Sequence, residues 1–240
     1  MDNTKKIHCG FSLQKRARLK KHKASLRSFT RIEECIHSAT HALTAIAAIF
    51  ATVFLILRAT PLGSVHTLGA TLFGISLVIL YSASGAYHAS CALYPPYVES
   101  RVRDIAQKFD HCSIFILIVG TYIPACLTSL GGAVGWTVFG VVGGCCTVGF
   151  ILNAISVERF KGISLWLYII TGWTIVLASV PLYSAIGSVG FAFLFLGGVF
   201  YTVGVIFYCL QSIKYMHIIW HTLVILGSVM HYLMVYFYCY

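Results

Sequence analysis

The segment YMHIIWHTL, residues 215–223, sets His217 and His221 four residues apart in an otherwise apolar run. On a helix that spacing puts both imidazoles on one face, about one turn apart, where they can face a single ion. The segment SGAYH repeats the arrangement with Ser84 and His88, KFDHCS adds the carboxylate of Asp110, and EECIHSATH offers Glu34, His37 and His41. Neutral imidazole binds zinc at about 2.0–2.1 Å, and a catalytic zinc site uses three protein ligands plus a water. His88, His217 and His221 make such a set. Asp110 would hold the bound water or orient a ligand ring, with the Ser84 hydroxyl behind it. Each residue also has a plainer role: an interhelical hydrogen bond for a membrane histidine, the start of a helix for Asp110, packing for Ser84.

The choice turns on where the elements carry these groups. Of 240 residues, 58% are hydrophobic and 10% charged, and the mean hydropathy is +0.84. Too little charge remains after Arg31 to cover a soluble domain of this size, and the apolar runs are long enough for a bilayer. Seven segments emerge, approximately 35–57, 67–91, 109–130, 134–155, 163–184, 189–210 and 215–238. The breaks between them are RATPLG, YPPYVESRVR, SLGG, SVERFKG, AIG and QSIK, which are turn or charge signals. Helix is the form that satisfies backbone groups in lipid, so the expected fold is an all-α integral membrane protein of seven transmembrane helices. Pro124 and Pro181 should disturb the third and fifth helices, and Gly131–Gly135 and Gly140–Gly144 suit close helix packing.

Charge orients the bundle. Ten of the 17 Lys and Arg precede residue 32, forming a basic N-terminal arm, residues 1–31. With that arm in the cytoplasm, Arg101, Arg103, Lys108, Arg159, Lys161 and Lys214 also fall inside, and Arg58 alone falls outside. The positive-inside rule then puts the N-terminus in the cytoplasm and the C-terminus outside, in a plasma membrane or a bacterial inner membrane. Beside a membrane span the arm is better suited to anionic lipid headgroups than to nucleic acid, and no nucleic-acid partner is expected. Cysteines such as Cys112, Cys126, Cys145, Cys146 and Cys209 lie in apolar runs and form no CxxC pair, so a thiolate metal site is not expected. In this topology His37 and His41, Ser84 and His88, Asp110, and His217 and His221 come from four helices to one inner layer of the membrane. Intramembrane ionisable groups point to function by default. His231 lies about 21 Å beyond His217 along its helix and is set apart from the site; His111 reads as an interfacial neighbour.

The same residues carry a resemblance. The chain after the arm resembles the hemolysin III group of the progestin and adipoQ receptor superfamily. Glu34 and His41 match its first motif, Ser84, His88 and Asp110 its second, and His217 and His221 its third. His37 stands where the family usually has Asn, so it either adds a nitrogen to the site or fills the space. The resemblance implies a seven-helix bundle holding Zn2+ through three histidines near the cytoplasmic side. It also implies two activities: hydrolysis of lipid amides, linked to eukaryotic relatives, and membrane permeabilisation, carried by the hemolysin name.

Three functions therefore stand side by side: a zinc-dependent hydrolase of lipid-like amides or esters, a pore-forming cytolytic protein, and a receptor-like protein whose metal staples helices. The mid-membrane polar groups Thr71, Ser76, Thr121, Thr147, Thr174 and Thr202 are neutral and scattered, which favours a site at one end over a monomeric channel. Membrane lipids, one of them a possible substrate, are the expected partners.

Overall fold

The computed structural model describes residues 28–94 and 100–240. Most of the basic arm, with His8 and His22, lies outside the described residues, as does part of the YPPYVESRVR turn. Every regular element among the described residues is helical: α1 Arg31–Ala59, α2 Ser64–Leu93, α3 Arg101–Ile123, α4 Gly132–Trp173, α5 Ser179–Cys209 and α6 Met216–Met234. Short 3-10 turns follow α1 and link α4 to α5, while π-helical turns extend α3 (Pro124–Leu130) and α6 (Val235–Cys239).

Five stretches are long and apolar enough to cross a membrane: Arg31–Leu62, Ser64–Leu93, Arg101–Leu130, Gly132–Cys209 and Met216–Cys239. Four correspond to the first, second, third and seventh expected segments. The fourth in chain order is 78 residues long and contains the other three. Inside its two α-helices the backbone leaves helical geometry at Ser156 (φ −163°, ψ 109°) and at Gly187 (φ 70°, ψ 177°). Both positions fall in the expected turns SVERFKG and AIG. The Ser156 hydroxyl accepts from the Arg159 N–H at 3.4 Å, as a residue capping the next helix would. Gly187 takes a positive φ that a side chain would resist.

The prolines act as expected. Pro124 lacks an N–H and the backbone widens there into the π-helical turn, while the 3-10 segment Thr174–Ala178 precedes Pro181. Large apolar side chains cover the outside, among them Phe50, Phe54, Trp136, Trp166 and Leu177, each more than half exposed. Polar side chains are meanwhile buried inside: Glu33, His37, His41, Ser84, His88, Asn153, His217 and His221. An apolar exterior around a polar interior belongs in hydrocarbon, and the chain is a multi-pass integral membrane protein.

Helix α1 packs along α2, α2 along α3, α3 along α4 and α5 along α6, and α6 closes back onto α1. Close approach depends on small residues. The Ser38 hydroxyl donates to the Gly85 carbonyl at 2.9 Å, and a Cβ on Gly85 would press on the Ala42 backbone nitrogen at 3.2 Å. On α5, Gly190, Gly197 and Gly204 recur every seven residues and meet Tyr238, His231 and Trp220. The expected packing role of Gly131–Gly135 is met in part, since Gly135 abuts the Cys126 carbonyl. Gly140 and Gly144 meet nothing within 4 Å in this chain.

Candidate metal centre and its cavity

The site begins at the head of α1. Thr30 and Glu33 form a reciprocal cap: the Thr30 hydroxyl accepts from the Glu33 N–H at 3.3 Å, and Glu33 Oε2 accepts from the Thr30 N–H at 3.0 Å. The other oxygen of Glu33 accepts from the Tyr215 N–H at 3.4 Å. Tyr215 immediately precedes α6 and sits in the left-handed region (φ 68°), so Glu33 ties the head of α1 to the head of α6.

Glu34 faces a different helix. Its Oε2 lies 2.6 Å from Nδ1 of His88 on α2 and 3.6 Å from Nδ1 of His37, with both rings buried. A carboxylate can only accept, so Nδ1 of His88 carries the proton and Nε2 presents its lone pair. This carboxylate–histidine pairing orients metal ligands and raises their basicity.

Around that pair four imidazoles gather. Ring centroids are 4.8 Å apart for His37–His88 and His37–His217, and 5.2 Å for His37–His221. They are 5.2 Å apart for His88–His217, 4.8 Å for His88–His221 and 4.7 Å for His217–His221. One ring nitrogen each of His37, His88 and His217 lie within 4.8 Å of one another. Both nitrogens of His37 and the Nδ1 of His217 and of His221 are buried without a hydrogen-bond partner. Unpartnered buried polar atoms cost about 1–3 kcal/mol each, and a cation is the partner that several lone pairs can share. The residues present fit a metal ion, and an all-imidazole set suits zinc, copper, iron or nickel. Phe29 covers the cluster, 5.0 Å from His37 and 4.9 Å from His217.

His41 sits differently. Its ring lies flat on His221 at 3.7 Å and 9°, with its edge toward Tyr81. Ser84 and Asp110 lie on the wall of a cavity of about 510 Å³ that also touches His41, His88, His217 and His221. Asp110 Oδ2 is 3.4 Å from His111 Nδ1, and that ring also bonds the Gln107 carbonyl at 3.0 Å. The cavity runs on past Leu117, Ile118 and Val224 to His231. His231 is far from the ring cluster, as its place in the sequence implies, and its Nε2 donates to the Leu194 carbonyl at 3.2 Å.

Several residues escaped the sequence reading. Glu33 could have been found, because Thr30 followed three residues later by Glu33 is a capping signal. Phe29 carries no such signal. Asn153 braces two cavity-wall residues from behind: it donates to the His111 carbonyl at 3.1 Å and the Tyr168 hydroxyl at 2.9 Å, and accepts from Ser164 at 2.6 Å.

The sequence that builds this arrangement has relatives. The family described as Haemolysin-III related matches residues 29–232. The chain is 36% identical over 212 residues to the hemolysin-3 homolog of Bacillus subtilis (strain 168), covering 88% of this chain and 96% of that protein. It is 36% identical over 207 residues to hemolysin-3 of Bacillus cereus, covering 86% of this chain and 91% of that protein. With the match running from the cap of α1 through the last helix, this chain belongs to the haemolysin-III related family.

Proposed function

We propose that the protein is a zinc-dependent hydrolase of lipid-like amides or esters, with its metal near the cytoplasmic end of a seven-helix bundle. The observation that carries this reading is the joining of a buried histidine cluster to a largely apolar cavity of about 510 Å³ whose wall also bears Asp110 and Ser84. A cavity of that size suits a small amphiphile.

His88, His217 and His221 hold the ion, and Glu34 keeps His88 in the tautomer that can bind it. Zinc, when bound, lowers the pKa of its water to around 7 and polarises a carbonyl. Asp110 is placed to take up a proton in the cavity, and Ser84 to hydrogen-bond there. Leu117, Ile118 and Val224 receive the hydrocarbon part and keep water away.

The seven-crossing topology has its own support. Straight, the 78-residue stretch would run to about 117 Å, nearly four times a hydrocarbon core of about 30 Å. Residues 132–155, 157–186 and 188–209, cut at Ser156 and Gly187, are each long enough to cross. An odd number of crossings and the basic arm then give a cytoplasmic N-terminus and an external C-terminus.

The test is metal content of the purified protein together with turnover on a panel of acylated lipids. Full zinc occupancy without turnover on any of them would sink the reaction and leave the metal standing. A second reading follows from the name hemolysin-3 borne by the Bacillus cereus relative. In it this chain permeabilises membranes, and conductance in a reconstituted bilayer would survive His217→Ala with His221→Ala.

A further inference from the structure

We infer that His37 is a fourth imidazole ligand, closing the coordination position that a three-histidine set leaves open. The inference rests on the metal reading above and deepens it.

A tetrahedral ion with metal–nitrogen bonds of 2.0–2.1 Å holds the centroids of its imidazoles about 5 Å apart. All six pairs among His37, His88, His217 and His221 lie between 4.7 and 5.2 Å. Packed aromatic rings commonly lie about 4.5–7 Å apart, and Phe29 sits 5.0 and 4.9 Å from two of these rings, so the spacing permits a shared ion and the ring nitrogens must decide. One ring nitrogen each of His37, His88 and His217 lie within 4.8 Å of one another, while His221 falls outside that group and joins by ring position alone.

Burial makes the same point. His37 is 1% exposed and neither of its ring nitrogens has a hydrogen-bond partner. An apolar side chain would fill that volume without leaving two polar atoms unpaired; His41 is also buried with both nitrogens unpartnered, so ring position decides between the two. Glu34 Oε2 faces Nδ1 of His37 at 3.6 Å as well as Nδ1 of His88 at 2.6 Å. At 3.6 Å the carboxylate faces His37 without bonding it, whereas it bonds His88 and leaves the Nε2 of that ring for the ion. His41 is not a fifth ligand: its ring is stacked on His221 within 9° of parallel, and in-plane lone pairs of parallel stacked rings do not converge on one point.

A four-imidazole site is coordinatively full, as structural zinc sites are. Bound by four imidazoles the ion would have no open position, so His37 on the ion and a water there would exclude each other.

Cobalt(II)-substituted full-length protein in detergent, titrated with azide and followed by visible absorption, tests this. The expected result is a four-coordinate spectrum in the wild type that azide leaves unchanged, and a spectrum in His37→Asn that shifts on azide addition. Zinc affinity, measured by competition with a chelator, should fall at least about a hundredfold in His37→Asn, at or beyond the upper end of what losing an outer hydrogen-bond partner costs. Azide binding to the wild type, or cobalt spectra that are alike and inert in both proteins, would overturn the fourth ligand while leaving a metal site in place. Wild-type protein that takes up neither cobalt nor zinc would overturn the fourth ligand and the metal reading together. The wild-type azide titration stands by itself if His37→Asn does not fold.

Discussion

Nδ1 of His88 donates to Oε2 of Glu34 across 2.6 Å, joining α2 to α1 where both side chains are withdrawn from solvent. One bond therefore fixes a tautomer and a helix–helix contact together. Glu34→Gln keeps the shape and an accepting oxygen but loses the charge. Metal affinity should fall about 10–100-fold, the usual cost of losing a carboxylate behind a ligating histidine. Chelator competition on the purified variant measures it, and an unchanged affinity would separate Glu34 from the metal.

Removing the metal should cost stability. A ligand present at a hundred times its dissociation constant adds about 2.7 kcal/mol to the folded state. Chelation should lower the melting temperature of the wild type by several degrees and leave that of His88→Ala almost unmoved. Thermal unfolding in detergent, with and without added zinc, distinguishes the two.

Asp110 lies on the cavity wall and outside the group of imidazoles. Asp110→Asn should retain full metal content while turnover on a responsive lipid falls about 10²–10⁴-fold, the range for losing a proton-transfer group. Loss of metal along with turnover would give Asp110 a place in binding the ion instead.

Gly197 lies against the His231 ring, with the Gly227 carbonyl 3.2 Å from where its Cβ would be. Gly197→Ala should destabilise the α5–α6 pair by about 1–3 kcal/mol through overpacking. Combining it with His231→Ala should recover part of the loss, giving a coupling of about 0.5 kcal/mol or more in a double-mutant cycle. Additive effects would mean that the two residues do not meet.

Asn153 joins α3 to both sides of the Ser156 break through His111, Tyr168 and Ser164. Asn153→Leu leaves buried polar partners unpaired and should cost about 1–3 kcal/mol. The loss should appear in thermal unfolding and as faster amide exchange near His111.

Most of the site was legible from spacing. His217 and His221, Ser84 and His88 are paired by helical periodicity, and the charged turns carry the depth that brings them together. The breaks at Ser156 and Gly187 could be read because serine with charged neighbours and glycine are local signals. What could not be read depends on partners distant in the chain. Nothing near Phe29 says that it will cover His217, and nothing in GSVGFAFLFLGGVFYTVG says which rings its glycines will meet. Gly140 and Gly144 show the opposite case: the spacing for packing is present, but this chain brings no neighbour to them. His231 was separated from the cluster by counting residues, yet one continuous cavity touches both.

Glu33 and Glu34 are chemically identical neighbours with different tasks, because one step along a helix turns a side chain by about 100°. Glu33 reaches Tyr215 ahead of α6 and Glu34 reaches His88 on α2. Shifting the register of this helix start by one residue would turn both carboxylates by about 100° in the same sense, so at most one would take the other's bearing and both attachments would be spoiled. Chain length is thus a fixed quantity at the head of the first helix.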